Sequence, residues 1–432
     1  MINICEKDKC TGCAACMNIC AHNAISLTEQ GVCGYIYPEI DQDKCIDCGL
    51  CVKTCPVNTS VKFNAPLKAF AAISKDHNDL MTSASGGASS VLVNSVLNKN
   101  GIVYGCVQRN YKHISHERID KIEDAHLLKG SKYVQSYIGY IYRNVKEDLK
   151  TGKTVLFTGT PCQIAGLKSY LKKDYDNLIL VDLVCHGVPS QKLLAEDVEN
   201  LLRDYPYADK EKISVEFRRK KNSPGMFERD WGKYISYGVF LVMGRKDTSP
   251  YKKKRQTFLR DNYITAFMAE TILRDNCYKC PYAQSQRCGD ITIADFWGIK
   301  HAPFQTSQGI SLLLPSTPKG VQIIQDNKNL FDICERPVEE AIHGNGRLNR
   351  PSVRPKERDI FLNTYPNNTS KAYNTSLKNY KEQYRIKLLH KSLNKLKEHS
   401  RFFRLFCRLP KVNGLLVRSG LLRIKLLKYL NK

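Results

Sequence analysis

The alternation of apolar and polar positions is clearest between residues 153 and 202. Lys153-Thr154-Val155-Leu156-Phe157 is a short apolar, β-branched run that ends in Thr158-Gly159-Thr160, and Pro161 stands where a helix through Lys172 begins. The unit then repeats. Residues 177–184 form a second apolar run, Cys185-His186-Gly187-Val188-Pro189 a loop, and Ser190 caps a helix through Leu202. Two successive β-loop-α units with short connections require parallel strands crossed over by a helix. Cys162 and Cys185 therefore emerge on one edge of one sheet, the edge at which open parallel sheets bind ligands. The same patterning predicts strands at 67–74, 101–107, 213–217, 237–243, 291–294 and 310–314, and a helix over 88–98 after the turn Ser83-Ala84-Ser85-Gly86-Gly87. Nearer the start, 24–27 and 35–40 read as short strands around a Gly31–Gly34 turn.

Composition narrows the class. At 42% hydrophobic and 25% charged, the 432 residues are ordinary for a folded chain, with length for about two to four domains. No run reaches 18 apolar residues, so no segment reads as a bilayer-spanning helix. The net charge of +25 is local: residues 370–432 hold 17 Lys or Arg against Glu382 and Glu398, which leaves the body only mildly basic. Within that tail, 387–396, 401–409 and 415–430 mix Leu, Phe and Ile with basic residues at helical spacing, as helices that bind membrane surfaces or acidic partners do. No recognition fold for nucleic acid accompanies the charge.

The cysteines are equally uneven, with ten of 18 inside the first 55 residues. No apolar leader precedes them, so they are read as thiols of a reducing cytosol and metal ligation becomes their leading explanation. Cys10-x2-Cys13-x2-Cys16-x3-Cys20 and Cys45-x2-Cys48-x2-Cys51-x3-Cys55-Pro56 repeat the spacing of cubane iron–sulphur ligands. In two-cluster ferredoxins the fourth cysteine of each run serves the other cluster. One [4Fe-4S] cluster is thus expected on Cys10, Cys13, Cys16 and Cys55, and another on Cys45, Cys48, Cys51 and Cys20. Structural zinc would use paired Cys-x2-Cys ligands instead. Ala21 replaces the proline that often follows the fourth cysteine, and Cys5 and Cys33, outside the pattern, read as packing residues.

A second constellation is Cys277-x2-Cys280, with Cys288 further on. The pair supplies two ligands, and the sheet-edge Cys162 and Cys185 could supply two more, with Cys288 as the competitor. Zinc, or no metal at all, is the plainer reading, and a reactive Cys162 thiol at a helix N-terminus is a third. Gly86-Gly87 ahead of a helix could cradle a phosphate, and Lys132 in Gly130-Ser131-Lys132-Tyr133-Val134-Gln135-Ser136 offers a cation. Asp295-Phe296-Trp297-Gly298 could set an aromatic against a planar cofactor, or simply bury one. Neither G-x-G-x-x-G nor a Walker sequence is present.

In order along the chain, Ser83–Gly87, Gly130–Ser136, Phe157-Thr158-Gly159-Thr160-Pro161-Cys162-Gln163, Asp182–Ser190, Phe217-Arg218-Arg219-Lys220, Cys277-x2-Cys280 and Asp290–Gly298 resemble the β-subunit family of coenzyme F420 hydrogenase and dehydrogenase. The resemblance implies an oxidoreductase holding FAD and iron–sulphur that passes electrons between one-electron carriers and a two-electron organic acceptor. It favours Cys162, Cys185, Cys277 and Cys280 as ligands of a third [4Fe-4S] cluster. It puts Ser85, Gly86, Gly87, Ser131, Lys132, Tyr133, Gln135, Ser136, Gly159, Thr160, Phe296 and Trp297 at FAD. Lys132 would stabilise the anionic flavin and His186 would donate a proton. The fold expected is α+β and α/β: a bacterial-type dicluster ferredoxin module over 1–62, then an α/β flavoprotein body with parallel βαβ units, divided into 65–150 and 151–362, then a basic helical extension over 363–432.

Expected partners are reduced ferredoxin or a redox partner subunit, a small organic acceptor, and the inner face of the cytoplasmic membrane through the tail. Similar ferredoxin-fused proteins occur in bacteria without F420, often beside polysaccharide-assembly enzymes, so the acceptor is F420-like or of another kind. Two other readings stay open at this point: a non-catalytic electron-transfer subunit of a larger complex, and a cluster-bearing scaffold without flavin.

Overall fold

The computed structural model describes residues 3–203, 206, 209–220, 235–242, 261–301, 303–304 and 308–399. Two compact units divide the chain, Met1–Tyr373 and Asn374–Lys432. In the second, the described element is the helix Lys378–His399; the basic stretches expected at 401–409 and 415–430 lie outside the described residues.

The first unit opens with a hairpin of β1 (Ile25–Gln30) and β2 (Tyr35–Ile40), paired antiparallel and flanked by the short helices Ala15–Ile19 and Leu50–Thr54. Then follow β3 (Ala69–Ser74), β4 (Ile102–Asn110), β5 (His113–Ile119), β6 (Val155–Gly159) and β7 (Leu178–Leu183). A separate antiparallel ribbon is made of β8 (Ser214–Lys220) and β9 (Ile235–Val242). The last strands are β10 (Ile291–Asp295), β11 (Ser311–Pro315) and β12 (Phe331–Arg336). Eight strands form one mixed sheet in the order β12-β3-β11-β10-β7-β6-β4-β5.

Its centre is parallel, β4 with β6, β6 with β7 and β7 with β10, as the two β-loop-α units require. Because β3 and β10 are both antiparallel to β11, they run in the same direction. The carboxyl ends of β3, β10, β7, β6 and β4 therefore share one edge. The boundary expected at residue 150 does not separate two cores, since β3, β4 and β5 belong to the same sheet as the later strands.

Both faces are buried, which is why the central strands are continuous apolar runs. Ile102, Tyr104, Val155, Phe157, Leu178 and Leu180 pack with Ile164, Leu167, Tyr142 and Val145, and with Ala14, Ala15, Met17 and Ile25 of the N-terminal block. Val103, Leu156, Ile179 and Val181, one register position away, pack instead with Val91, Leu92 and Val96 of the helix Ala88–Leu97. The N-terminal block is thus part of the core of the body. Arg143, on the helix Ile141–Lys150, fastens it further by donating to the carbonyls of Met17, Asn18 and Cys20 at 3.2, 2.8 and 2.6 Å. These are carbonyls that the end of the helix Ala15–Ile19 leaves without helical partners.

Candidate metal centres

The two cysteine runs fold alike. Gly12 and Ala14 in the first, and Asp47 and Gly49 in the second, all take positive φ, from 52° to 69°. These left-handed residues flank Cys13 and Cys48 and turn each loop back on itself between its cysteines. For the non-glycine Ala14 and Asp47 this costs about 1–2 kcal/mol each, sustained only if the loop is otherwise over-determined. Cys20 and Cys55 each leave their short helix in an extended conformation, and Cys55 reaches Cys13 and Cys16 of the first run. Among the described residues no three of these or other ligand side chains converge closely enough to hold a single metal ion.

Cys10, Cys13, Cys16 and Cys55 are buried and close enough to influence one another's ionisation. Cys51 faces Cys45 and Cys48 in the same way. The Cys20 sulphur accepts from the backbone N–H of Ala24 at 3.4 Å. The two sets differ in exposure: Cys48 is exposed and Cys45 half-buried, beside the exposed apolar side chains Ile46 and Leu50. Cys5, read from the sequence as mere packing, lies against Cys10 and Cys55, and its thiol, held by these hydrogen bonds and by burial, is pushed far up. Contact with Cys5, followed by the charge of Arg274, draws the Cys10 thiol down to about 6.

At the sheet edge, Cys162 in the first turn of the helix Pro161–Leu171, Cys185 in the loop after β7, and Cys277 and Cys280 around the turn Asp275–Lys279 line one small cavity that opens to solvent. Thr11, Thr160, His186, Asn276, Tyr282 and Arg347 share its wall. The Cys162 sulphur is 3.2 Å from the Thr160 hydroxyl, and Cys185 accepts from Gly187 N–H at 3.4 Å. Burial pushes Cys162, Cys185 and Cys280 up to about 11 and Cys277 well above its ordinary value. At Cys162 the rise from burial exceeds any lowering by the helix N-terminus. Such thiols ionise when a cationic core binds between them. Cys288 is also buried, but its S–H points at the Pro161 carbonyl at 3.3 Å and it does not line the cavity.

The two cysteine regions nearly touch. A Cβ at Gly166, on the Cys162 helix, would stand 2.9 Å from the Cys13 sulphur. Tyr142 and Tyr282 each lie within electrostatic reach of both Cys13 and Cys162.

The residues expected around a flavin fall into separate groups. Tyr133 stacks on Phe267 with ring centroids 4.9 Å apart and lies against Phe217, Ser131 and Arg218. On the same Phe267 ring His186 stands edge-on at 4.8 Å. Arg218 pairs with Asp295 at 2.9 Å, and Lys220 donates to the carbonyls of Leu80 and Ser85. This row of aromatics, hydroxyls and two cations crosses the carboxyl edge of the sheet and offers the chemistry that a planar ring bearing phosphates needs. The β8 motif Phe217–Lys220 is visible in the sequence without a role; Phe267 carries no signal there.

Other expected positions point elsewhere. Lys132 is half-buried and donates to the carbonyls of Leu127 and Lys129, with Cys106 nearby. Ser136 pairs with His116 at 2.8 Å. Gln135 donates to the Thr11 carbonyl at 3.4 Å and so faces the N-terminal block. Gly86 packs against the sheet, where an added Cβ would come within 2.4 Å of the Ala72 carbonyl, so its close approach is to β3. Gly87, at φ +87°, caps the following helix. Gly159 lies against Gln163 and His116, and Thr160 shares a capping box with Gln163. Phe296 is buried with Leu312 and Ala341, while Trp297 is 54% exposed. His186 is held by its neighbours, with the Glu270 carboxylate 3.9 Å from its Nε2. Arg347 donates to its Nδ1 at 3.4 Å and its Nε2–H points at the Phe267 carbonyl at 3.2 Å, while burial and then the charge of Arg347 push it down to about 4.

Residues 9–59 match the model of a 4Fe-4S dicluster domain, and residues 152–340 match that described as the C terminus of the coenzyme F420 hydrogenase/dehydrogenase beta subunit. Over these segments the family resemblance drawn from the motifs holds, and the chain is an electron-transfer protein of the iron–sulphur oxidoreductase kind. A solved structure of the F420-reducing [NiFe] hydrogenase complex from Methanosarcina barkeri is similar at 14% identity, over 78% of this chain and 94% of that one, with a TM-score of 0.40. No curated protein matches the sequence. Among the described residues no helix is long and apolar enough to cross a membrane.

Proposed function

We propose that the chain is a flavin-dependent oxidoreductase that moves electrons between one-electron carriers and a two-electron organic acceptor. In this reading a third [4Fe-4S] cluster sits on Cys162, Cys185, Cys277 and Cys280, and FAD lies along the sheet edge. The observation that carries it is the meeting of four cysteines from three separate segments on one cavity whose wall includes Thr11, from the first cysteine run. When bound, the clusters would exchange single electrons and FAD would pair them.

The protein's own part is positioning. The exposed side of Cys45 and Cys48, with Ile46 and Leu50, suits a docking donor such as reduced ferredoxin or a partner subunit. Burial of Cys10, Cys13, Cys16 and Cys55 keeps water from the inner set. Tyr133, Phe267 and His186 form an aromatic row from the flavin surface to the four-cysteine cavity. The basic tail would hold a cytoplasmic protein against an anionic membrane surface.

The test is composition. Anaerobically purified full-length protein should carry about twelve iron, twelve sulphide and one FAD per chain. Cys185→Ser should lower iron to about eight, and Cys288→Ser should leave it near twelve. About eight iron without flavin in the unaltered protein would sink the proposal.

A further inference from the structure

Arg274 is fully buried, and among the described residues no carboxylate pairs with it. Its backbone N–H donates to the Val188 carbonyl at 2.9 Å, and its own carbonyl accepts from Cys277, so its main chain belongs to the four-cysteine site. Its side chain reaches the other site. Nε donates to the Cys10 carbonyl at 2.9 Å, and Nη1 donates to the Ile36 carbonyl at 2.7 Å and to Gln135 Oε1 at 3.4 Å. The Tyr37 ring covers the guanidinium at 4.1 Å, and its carbon lies 3.4 Å from where a Cβ on Gly12 would stand. Of the five guanidinium N–H groups, the Nη2 pair is buried with no acceptor.

A desolvated cation without a counter-charge is among the costliest things a protein can bury. Among the described residues no carboxylate offsets Arg274, and a single thiolate at Cys10 would be its only counter-charge. A cubane ligated by four thiolates is net anionic and supplies what is missing. We infer that Arg274 is the internal counter-ion of the set Cys10, Cys13, Cys16 and Cys55, and that its charge makes the cluster held there easier to reduce. It is a positioning and tuning residue, touching the ligand loop and no substrate. Net charge and hydrogen bonding around the sulphurs are the usual controls on cluster potential, and a buried charge acts unscreened by salt. The inference rests on these four cysteines holding one of the two N-terminal clusters.

The test is an anaerobic redox titration of the full-length holoprotein followed by electron paramagnetic resonance. Arg274→Gln keeps a planar amide and removes the charge. It should make one N-terminal cluster harder to reduce by about tenfold in equilibrium constant, about 59 mV for a one-electron couple, and leave the other in place. Arg274→Lys keeps the charge and should titrate with the unaltered protein. Coincident titrations of Arg274→Gln and the unaltered protein would overturn the inference. If Arg274→Gln does not retain its iron, Arg274→Lys decides: a wild-type titration supports a charge effect, and a tenfold shift assigns the effect to the lost hydrogen bonds and overturns it. Unaltered protein without N-terminal cluster signals would instead remove the ligand assignment, which the iron count detects before any variant is made.

Discussion

Asp182 and Arg287 form an ion pair closed to water on both sides, 2.8 Å apart, with side chains 0% and 1% exposed. Asp182 is the penultimate residue of β7, three before Cys185; Arg287 follows Cys280 by seven residues. The guanidinium also donates to the carbonyls of Tyr282, Gln284 and Leu183 at 2.9–3.0 Å, and Asp182 accepts from Gly289 N–H at 3.1 Å. One contact thus registers the Cys185 loop against the segment bearing Cys277 and Cys280. Removing one partner strands a buried charge, so Arg287→Gln should destabilise the fold by about 3–5 kcal/mol in denaturant unfolding. If the four-cysteine site holds the proposed third cluster, the same change should lower iron retention there first. Unchanged unfolding and iron content would show that the pair does not set this geometry.

Gly166 permits the closest approach between the two cysteine regions. A methyl group there would meet Cys13 Cβ and Sγ at 2.9 Å and the Tyr142 hydroxyl at 3.0 Å. These are ligand-loop and buried-ring atoms with little room to give. Gly166→Ala should therefore lose iron signal from one N-terminal cluster while the overall fold persists, at an overpacking cost of about 1–3 kcal/mol. Electron paramagnetic resonance of the reduced protein measures it, and an unaltered two-cluster signal would refute the prediction.

His116 gives stability a pH dependence. Its Nε2–H donates to the Thr158 carbonyl at 2.9 Å, its Nδ1 accepts from Ser136 at 2.8 Å, and burial pushes it down from 6.5 to about 4. As pH falls from 6.5 to 4 the unfolded chain binds a proton that the folded chain refuses, so stability drops across that window, by on the order of 3 kcal/mol from this group. Above pH 6.5 both forms are neutral and the contribution is flat. His116→Gln should show a shallower loss of thermal stability over the window than the unaltered protein. Parallel pH profiles would count against His116 as the source.

If FAD lies along the sheet edge as proposed, Lys132 and Lys220 can be told apart as its contacts. Each donates to two carbonyls, Lys132 to Leu127 and Lys129 and Lys220 to Leu80 and Ser85, but only Lys220 lies beside the Arg218–Asp295 pair that meets Tyr133, and burial draws its ammonium down to about 7. Lys220→Met should weaken FAD retention by about tenfold or more, a loss of about 1.4 kcal/mol, with Lys132→Met within twofold of the unaltered protein. Equilibrium dialysis against FAD reads both, and the opposite ranking would return the role to Lys132.

The central parallel strands and the cysteine runs are legible in the order of residues without any coordinates. Val155-Leu156-Phe157 and Leu178–Leu183 are buried on both faces, so their apolar character is continuous and their strand state plain. Eight cysteines in two equal spacings define their own chemistry, because a cubane takes three thiolates from one tight loop. Other elements carry no such signal. β5, with His113, His116, Glu117 and Arg118, and β12, with Asp332, Glu335 and Arg336, are the outermost strands of the sheet, β5 bridged on its outer side only at Tyr137, and such strands carry charge. It took the folded arrangement to bring Arg274, Tyr282 and Cys5 to the metal sites and to take Cys288 off the cavity wall. Ligand spacing is a local property of the chain. A counter-ion, a neighbouring ring or the direction of a thiol depends on segments more than a hundred residues apart, and packing alone decides which of them meet.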